Sequence, residues 1–437
     1  MKVSSPPTGR PERNAPEGPE AITTGTEGSL DASLAVMPPR TISTPLKTGA
    51  VTSDLPRRAD LKERFYHPEL DSIRFFLFCA ILAFHAFPPY LGKWYYDHLP
   101  AAMAFSVITI GRACAPSLDV FFVISAYLIT ELILREREKN GSVDLKAFYV
   151  RRLLRIWPLY FFFIGLLCLL SLFDKSLAVG WARILAFLLF AGNWAIAFGR
   201  PSIIIGPLWS VSVEEQFYLL WPLVLRMASR RIILAVPIGL LALASFARLM
   251  LLRVPVFVLC IWCNTLAHMD SIACGILLAV ILHGRKLRLR LRTRFVLLGS
   301  GLITWVLIGR YCGLIDLIPP LAGNMLGYPL MSLGAVAIFL SVLGASQDGA
   351  PVMKSPVLVY LGKISYGLYV FHMLVVELIG RLLLKHIGYF GLKYLVARWI
   401  CAFAATLVLA VISFHCLEKP FLRLKRRFTY VPSGAAI

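Results

Sequence analysis

Charged residues are scarce in this chain, and acidic residues are the scarcest of all. Only 16% of the 437 residues are charged and 58% are hydrophobic, whereas about a quarter of the residues of a soluble domain are charged. The chain has 24 Asp and Glu against 45 Lys and Arg, which gives a formal net charge of +21. This composition excludes an ordinary soluble protein.

Long apolar runs occupy most of the chain instead. They recur from residue 72 to residue 416 with lengths of about 20 residues. A helix of that length crosses a hydrocarbon core of roughly 30 Å. The sequence therefore predicts an all-α fold, a polytopic bundle of transmembrane helices.

The nine cysteines do not form a disulfide framework. They are scattered and mostly lie inside apolar runs, which is unlike the regular spacing of small secreted domains. Cys260 and Cys263 form one C-x-x-C pair, but no second pair completes a metal site. We expect buried thiols there, in preference to a redox or metal site, and we predict no metal ion.

The chain divides into three parts. Residues 1–60 hold nine of the 27 prolines among Ser, Thr, Gly and Glu, without apolar periodicity, so they cannot bury enough surface to fold. We expect a disordered cytoplasmic tail over 1–64, without a cleavable signal peptide. A membrane domain over 65–420 and a basic cytoplasmic tail over 421–437 follow.

Lys and Arg collect in four stretches, 57–64, 135–155, 285–294 and 419–427. Cytoplasmic loops carry such an excess, so all four are expected to be cytoplasmic. Eleven apolar segments would place the two ends on opposite sides, so 178–198 is expected to be re-entrant or interfacial. This predicts about ten crossings with both termini cytoplasmic. The positive charge then faces anionic lipid headgroups, and no nucleic acid partner is expected.

The first span carries two ionisable residues on one face. Such residues cost about 2.5–3.5 kcal/mol each at mid-membrane, so they are candidates for function. The step of eleven positions from Arg74 to His85 turns through three full turns plus roughly 20° and rises about 16 Å. Asp71 lies three residues before Arg74 and can pair with it. A lone buried His is more often structural, but the aligned Arg favours a functional His85.

Two carboxylates in apolar helices are candidates for orienting His85. Asp119 can accept a hydrogen bond from the His85 ring and leave the other ring nitrogen as a base. Pairing with an Arg or capping a broken helix are the alternatives. Glu214 can orient His85 or bind a polar acceptor. Its neighbour Glu215 has the S-x-x-E spacing of a capping box with Ser212.

Three arginines stand at the start of the third span. Arg151, Arg152 and Arg155 fall within about one turn and can hold phosphates in bidentate fashion. The alternative is a plain topological signal. The pair His268 and Asp270 and the mid-membrane His372 are weaker candidates, and a structural role is slightly favoured for them.

Taken together, these segments resemble acyltransferase family 3, the integral membrane O-acyltransferases. The resemblance covers about residues 68–420, in five segments that occur in order: Leu70–His85 with its R-x10-H spacing, Asp119–Phe122, Arg151–Arg155, Ser212–Tyr218 and Ile364–His372. Ser72 and Ala126 replace the glycines usual in two of these motifs, which we expect to affect helix packing only. His268 stands where relatives often have Arg.

The resemblance implies transfer of an acyl group, commonly acetyl, from cytoplasmic acyl-CoA to a hydroxyl of a cell-surface glycan or lipid-linked precursor. His85 is then the catalytic histidine, Arg74 its companion, and the three arginines hold the coenzyme phosphates. Acyl-CoA is a donor substrate, with no permanently bound cofactor, and the bacterial inner membrane is the implied location. We expect the membrane domain to bind its acceptor alone.

A transporter is the competing class of function, because charged residues near the midplane also mark substrate pathways. The sequence shows no repeat that relates its two halves and no matching interrupted helices. A transporter needs neither a phosphate-binding mouth nor a histidine aligned with an arginine. In the predicted enzyme, His85 removes the proton of the acceptor hydroxyl, and an acyl-histidine intermediate is the alternative.

Overall fold

The computed structural model describes residues 65–199, 202–253, 258–314, 316, 320–348, 350–387 and 391–428. The predicted tail over 1–64 and the last nine residues of the basic tail lie outside the described residues. What is described is built from helices, so the all-α class is confirmed.

The described α-helices are α1 Pro68–Ala86, α2 Gly92–His98, α3 Ala101–Cys114, α4 Ser117–Asn140, α5 Leu145–Phe173, α6 Trp181–Leu188, α7 Gly192–Ala197, α8 Trp209–Met227, α9 Arg230–Leu251, α10 Val258–Trp262, α11 Asp270–Leu282, α12 Leu291–Tyr311, α13 Leu321–Val342, α14 Pro356–Lys363, α15 Ser365–Ile387, α16 Leu392–Ser413 and α17 Lys419–Lys425. A five-residue π-helical turn, Phe414–Glu418, joins α16 to α17.

Eight stretches of the described chain are long and apolar enough to cross a membrane, judged by length and composition: Pro68–His98, Ala101–Asn140, Leu145–Phe173, Arg230–Leu251, Leu291–Tyr311, Leu321–Val342, Ser365–Ile387 and Leu392–Lys425. The protein is therefore an integral membrane protein. The segment 178–198 forms the short helices α6 and α7, and neither has the length of a crossing.

The predicted count of ten crossings is not confirmed by these eight stretches. The two further predicted spans correspond to α8 and α11. Helix α8 has 19 residues but contains Glu214, Glu215 and Arg226. Helix α11 has 13 residues, which is about 20 Å of helix and less than a hydrocarbon core. Internal charge in α8 and short length in α11 therefore explain why neither helix is among the eight stretches.

A tight turn between α4 and α5 places the arginine run beside the end of α4. Helix α4 ends before Gly141, which adopts a positive φ of 72° that suits glycine. Asp144 then caps α5 by accepting a hydrogen bond from the backbone N–H of Ala147 at 2.9 Å. Glu136 of α4 accepts from the backbone N–H of Asp144 at 2.9 Å, which fixes the turn to the helix before it.

Helix α1 is central to the fold because α3, α4, α14, α15 and α16 all pack against it. Its closest neighbour is α14, whose Gly362 lies directly on the backbone of Asp71. A Cβ atom at position 362 would overlap the carbonyl oxygen of Asp71. This contact fixes the position of α1 relative to α14, and with it the position of the charged first turns of α1.

We expect Gly362→Ala to destabilise the protein by about 1–3 kcal/mol, because α14 must move away from α1. The measurement is the melting temperature of the purified protein in detergent. Gly165→Ala is the matched control, since Gly165 lies inside α5 with open space around it, and alanine is the better helix former. Equal melting temperatures for the two variants would contradict the close contact.

Candidate functional site

A cavity of about 220 Å³ lies between α1, α4, α5, α8, α15 and α17. One end, named here the basic end, is formed by five cationic side chains: Arg74, Arg151, Arg152, Arg155 and Lys425. Glu214 and Asp71 also line the cavity, as do apolar side chains of α4. Five of the seven residues predicted for the site thus lie around one cavity, and His85 and Asp119 do not line it.

The predicted pair on α1 is present. Arg74 Nη1 donates to Asp71 Oδ1 at 2.9 Å, across one helical turn. Tyr66 Oη donates to the other carboxylate oxygen of Asp71, also at 2.9 Å. Two donors hold the carboxylate, so the guanidinium of Arg74 has a fixed position in the cavity wall.

The three arginines of α5 have different surroundings. Arg151 donates to Glu136 Oε2 at 2.9 Å and to the backbone carbonyl of Phe428 at 2.8 Å. Arg152 lies over the rings of Phe148 and Tyr218, with its guanidinium carbon 5.5 and 5.3 Å from their centroids. Arg151 therefore uses donors in hydrogen bonds to other parts of the protein. The ring contacts hold the guanidinium of Arg152 in place.

Arg155 differs from both, because it makes no hydrogen bond or ion pair to another residue of the described chain. It lines the cavity one turn further along α5. A guanidinium without a protein partner at the wall of a cavity has its donors available for an anionic ligand. Of the three predicted phosphate-binding arginines, Arg155 therefore has the geometry best suited to that task.

Lys425 is a cavity residue that sequence reasoning missed. Its only signal was membership of the basic stretch at the end of the chain, which was predicted as a tail. In the structure α17 packs against α5, and the hydrogen bond from Arg151 to Phe428 holds the segment that follows. The described part of the predicted tail is therefore a wall of the cavity.

Glu214 lines the cavity but does not bond to His85. Its two carboxylate oxygens accept from Ser125 Oγ at 2.8 Å and from Tyr218 Oη at 3.0 Å. This arrangement joins α4 to α8 and leaves Glu214 facing the cavity as an acceptor.

The predicted capping box at Ser212 and Glu215 is wrong. Helix α8 begins at Trp209, directly after a 3₁₀ turn, so Ser212 lies within the helix. Its hydroxyl donates to the carbonyl of Leu208, and Glu215 accepts from Trp157 Nε1 at 3.1 Å. Glu215 therefore joins α8 to α5, Ser212 bonds within the start of its own helix, and neither side chain caps α8.

Asp119 lies apart from His85, and the hydrogen bond expected between them is not found within the described residues. Its Oδ1 accepts from His268 Nε2 at 3.1 Å and from Ser271 Oγ at 2.5 Å. The physical reason is that the first turn of α4 directs this carboxylate to α11, which packs along α4. Its other oxygen is buried and has no hydrogen-bond partner in the part of the chain that the structure describes. A catalytic role for Asp119 remains a prediction that this geometry does not support.

Asp270, a weaker candidate from the sequence, belongs to a buried ion pair. Arg248 contacts its two carboxylate oxygens at 2.5 and 3.1 Å, and both side chains are buried. Arg248 also donates to the carbonyl of Ala267 at 2.8 Å. This partner could not be recognised from the sequence, because Arg248 lies at the end of another helix, 22 residues earlier.

His85 lies in the last turn of α1, half-buried, beyond the cavity. Its ring centroid is 5.2 Å from that of His372, which is fully buried on α15. His372 is in turn 5.4 Å from the ring of Tyr369, a residue of the cavity wall. Three rings on two helices thus connect the cavity to His85.

The fold and the cavity define a helical membrane protein with a basic cavity between its helices. Residues 67–415 match the model of the acyltransferase domain family, which covers most of the chain. The chain therefore belongs to this family, acyltransferase family 3, and the resemblance seen in the sequence is confirmed.

Three relatives illustrate the membership. The chain is 25% identical over 385 residues to the peptidoglycan O-acetyltransferase OatA of Listeria monocytogenes, covering 83% of this chain and 57% of the relative. It is 28% identical over 340 residues to a Staphylococcus aureus protein named "Putative O-acetyltransferase", with coverages of 72% and 54%. A Bacillus subtilis protein named "Putative peptidoglycan O-acetyltransferase YrhL" is 28% identical over 323 residues, with coverages of 69% and 49%.

The chain spans about half the length of the curated relatives it matches. No solved structure matches this chain.

We expect Asp270→Ala to lower the free energy of unfolding by about 3–5 kcal/mol, because it leaves the buried guanidinium of Arg248 unpaired. Melting temperatures of the purified variants in detergent test this. The double variant Arg248→Met/Asp270→Leu removes both charges and should melt well above the single variant. A single variant as stable as the wild type would show that the pair does not stabilise the fold.

Proposed function

We propose that this protein is a membrane O-acyltransferase that transfers an acyl group, acetyl in the first instance, from acyl-CoA to a hydroxyl of a cell-surface polysaccharide or lipid-linked glycan. Family membership supports the reaction class. The observation that carries the donor assignment is the basic end of the cavity, where Arg155 has donors free for an anion.

Acyl-CoA fits the basic end because it carries several phosphates and a long, narrow pantetheine arm. Arg155 and Arg152 would bind phosphate oxygens, Arg155 in bidentate fashion, and Lys425 would add a point charge. Ligand sites for whole drug-sized molecules measure about 300–1,000 Å³, so a cavity of about 220 Å³ suits the arm and leaves the nucleotide at the mouth. Acyl-CoA is a substrate in this proposal, with no resident cofactor.

The acceptor class is proposed from the relatives, two of which bear names that specify peptidoglycan as the acetylated material. A glycan hydroxyl is a weak nucleophile at neutral pH and needs a base. His85 would take the hydroxyl proton, the oxygen would bond to the thioester carbon, and the carbon–sulfur bond would break. The CoA thiolate then receives the proton from His85. Such a base contributes about 10² to 10⁴-fold.

The proposed topology places the basic end in the cytoplasm, where acyl-CoA is found. Two of the predicted cytoplasmic stretches, 135–155 and 419–427, meet at this end of the cavity through the contacts of α5 with α17. This supports a common side for these two stretches, as the proposed orientation requires. Both termini in the cytoplasm, ten crossings and the bacterial inner membrane remain parts of the proposal. Anionic headgroups would lie against the same basic surface.

Loss of His85 tests the reaction. Membranes that contain the wild-type protein should transfer radiolabelled acetyl from acetyl-CoA to endogenous glycan or glycolipid. An equally abundant His85→Ala variant should lose about 10² to 10⁴-fold of this rate. Equal labelling by the two proteins would remove His85 from the reaction. No labelling by either would exclude acetyl-CoA as donor and favour a transporter.

Arg155→Ala tests the donor site. It should raise the KM for acetyl-CoA by about 10 to 100-fold with a smaller change in kcat, because a hydrogen bond to a charged group contributes about 1.5–3 kcal/mol. Arg155→Lys should recover part of the loss, since it keeps the charge without the planar fork. Arg423→Ala is the control, as Arg423 is exposed on α17 and does not line the cavity. A similar KM for both alanine variants would contradict the assignment.

A further inference from the structure

A histidine that acts as a base needs a group that fixes its ring and its tautomer. The two carboxylates predicted for this task are engaged elsewhere. Asp119 accepts from His268 and Ser271, and Glu214 accepts from Ser125 and Tyr218. Within the described residues, the titratable side chain in ring contact with His85 is His372.

The hydrogen bonds of His372 define its tautomer. Its Nδ1 lies within hydrogen-bond distance of the backbone carbonyl of Tyr369, one turn earlier on α15. A carbonyl oxygen can only accept, so Nδ1 carries the proton and donates. In the neutral ring Nε2 is then the nitrogen with the free lone pair. This atom is buried and has no hydrogen-bond partner among the described residues.

The rings are at the right separation for a hydrogen bond between them. Their centroids are 5.2 Å apart with an interplanar angle of 45°. Two imidazoles joined by an N–H···N bond have centroids roughly 5 Å apart. His85 is half-buried, whereas His372 is fully buried, with the ring of Phe78 6.1 Å away. His85 is therefore the less enclosed of the two rings, and its rotation is the movement that formation of the bond requires.

We propose that His372 is the positioning residue of His85: its Nε2 accepts a hydrogen bond from one ring nitrogen of His85 and leaves the other nitrogen unprotonated and turned to the acceptor hydroxyl. This inference rests on the proposed function. The proton of the hydroxyl then goes to the free nitrogen of His85, while the bond to His372 persists in the imidazolium. Neither carboxylate takes part in the step.

The kinetic test compares two substitutions of His372. His372→Phe removes the acceptor and should lower kcat for acetyl transfer by about 10²-fold, because the base loses its alignment, with an unchanged KM for acetyl-CoA. His372→Gln keeps an oxygen that accepts a hydrogen bond and should recover at least a tenth of the wild-type kcat. Equal losses in both variants would overturn an acceptor role for His372.

Phe371→Leu is the packing control. Phe371 is the preceding residue, is buried, and contacts Phe163 of α5 on another side of the helix. It should lower the melting temperature without lowering kcat. If Phe371→Leu and His372→Phe lose kcat equally, the effect of position 372 is structural and the proposal fails.

A spectroscopic readout separates this proposal from the proposed function. The chain has eight histidines, so ¹⁵N-histidine spectra of the full-length protein in lipid are tractable, and His85→Ala assigns the His85 signals. In the wild type, His85 should show one hydrogen-bonded tautomer, and His372→Phe should convert it to a mixture. Unchanged His85 signals in His372→Phe would overturn the proposal, whether or not acetyl transfer is detected.

Discussion

The cost of an unpaired charge in an apolar interior governs this structure. Removing one partner of a buried ion pair costs several kcal/mol, so buried cations are expected to have carboxylates or carbonyls beside them. Three pairs between different helices or loops follow this rule: Arg151 with Glu136, Arg248 with Asp270, and Arg294 with Asp348. Arg155 lies outside this rule, because it is exposed and lines the cavity without an ion pair to a described residue. Its guanidinium therefore differs from the buried cations, whose contacts hold helices together.

Pairs and clusters of residues within a single helix could be predicted from the sequence. The spacing of Asp71 and Arg74 defined their pair, and the density of arginines at 151–155 marked a shared surface, because both depend only on 3.6 residues per turn. Partners on different helices could not be predicted. Asp119 faced His268 instead of His85, and Arg248 gave no signal, because the rotation of one helix against another is decided by the packing of all its neighbours.

The number of membrane spans and the residues that line the cavity could not be predicted from the sequence either. A hydropathy window finds helices that are long and uniformly apolar, whereas α8 and α11 combine short length or internal charge with burial against other helices. Lys425 had no local signal of function, and His372 was only a weaker candidate. One lay in a basic stretch that read as topology, and the other was a single histidine in an apolar helix. Their significance comes from the residues that α5 and α1 place beside them.

The position of His85 beyond the cavity constrains the donor under the proposed function. Helix α1 separates His85 from Arg74 by about 16 Å, and the rings of Tyr369 and His372 lie between the cavity and His85. A donor held by its phosphates at the basic end reaches His85 only with a long, thin arm that passes these rings. Short acyl donors such as acetyl phosphate meet the phosphate requirement but not the reach. Charge at one end and distance to the histidine are therefore the two features that make a coenzyme thioester the donor in the proposed function, in which the acceptor hydroxyl would approach from the other end.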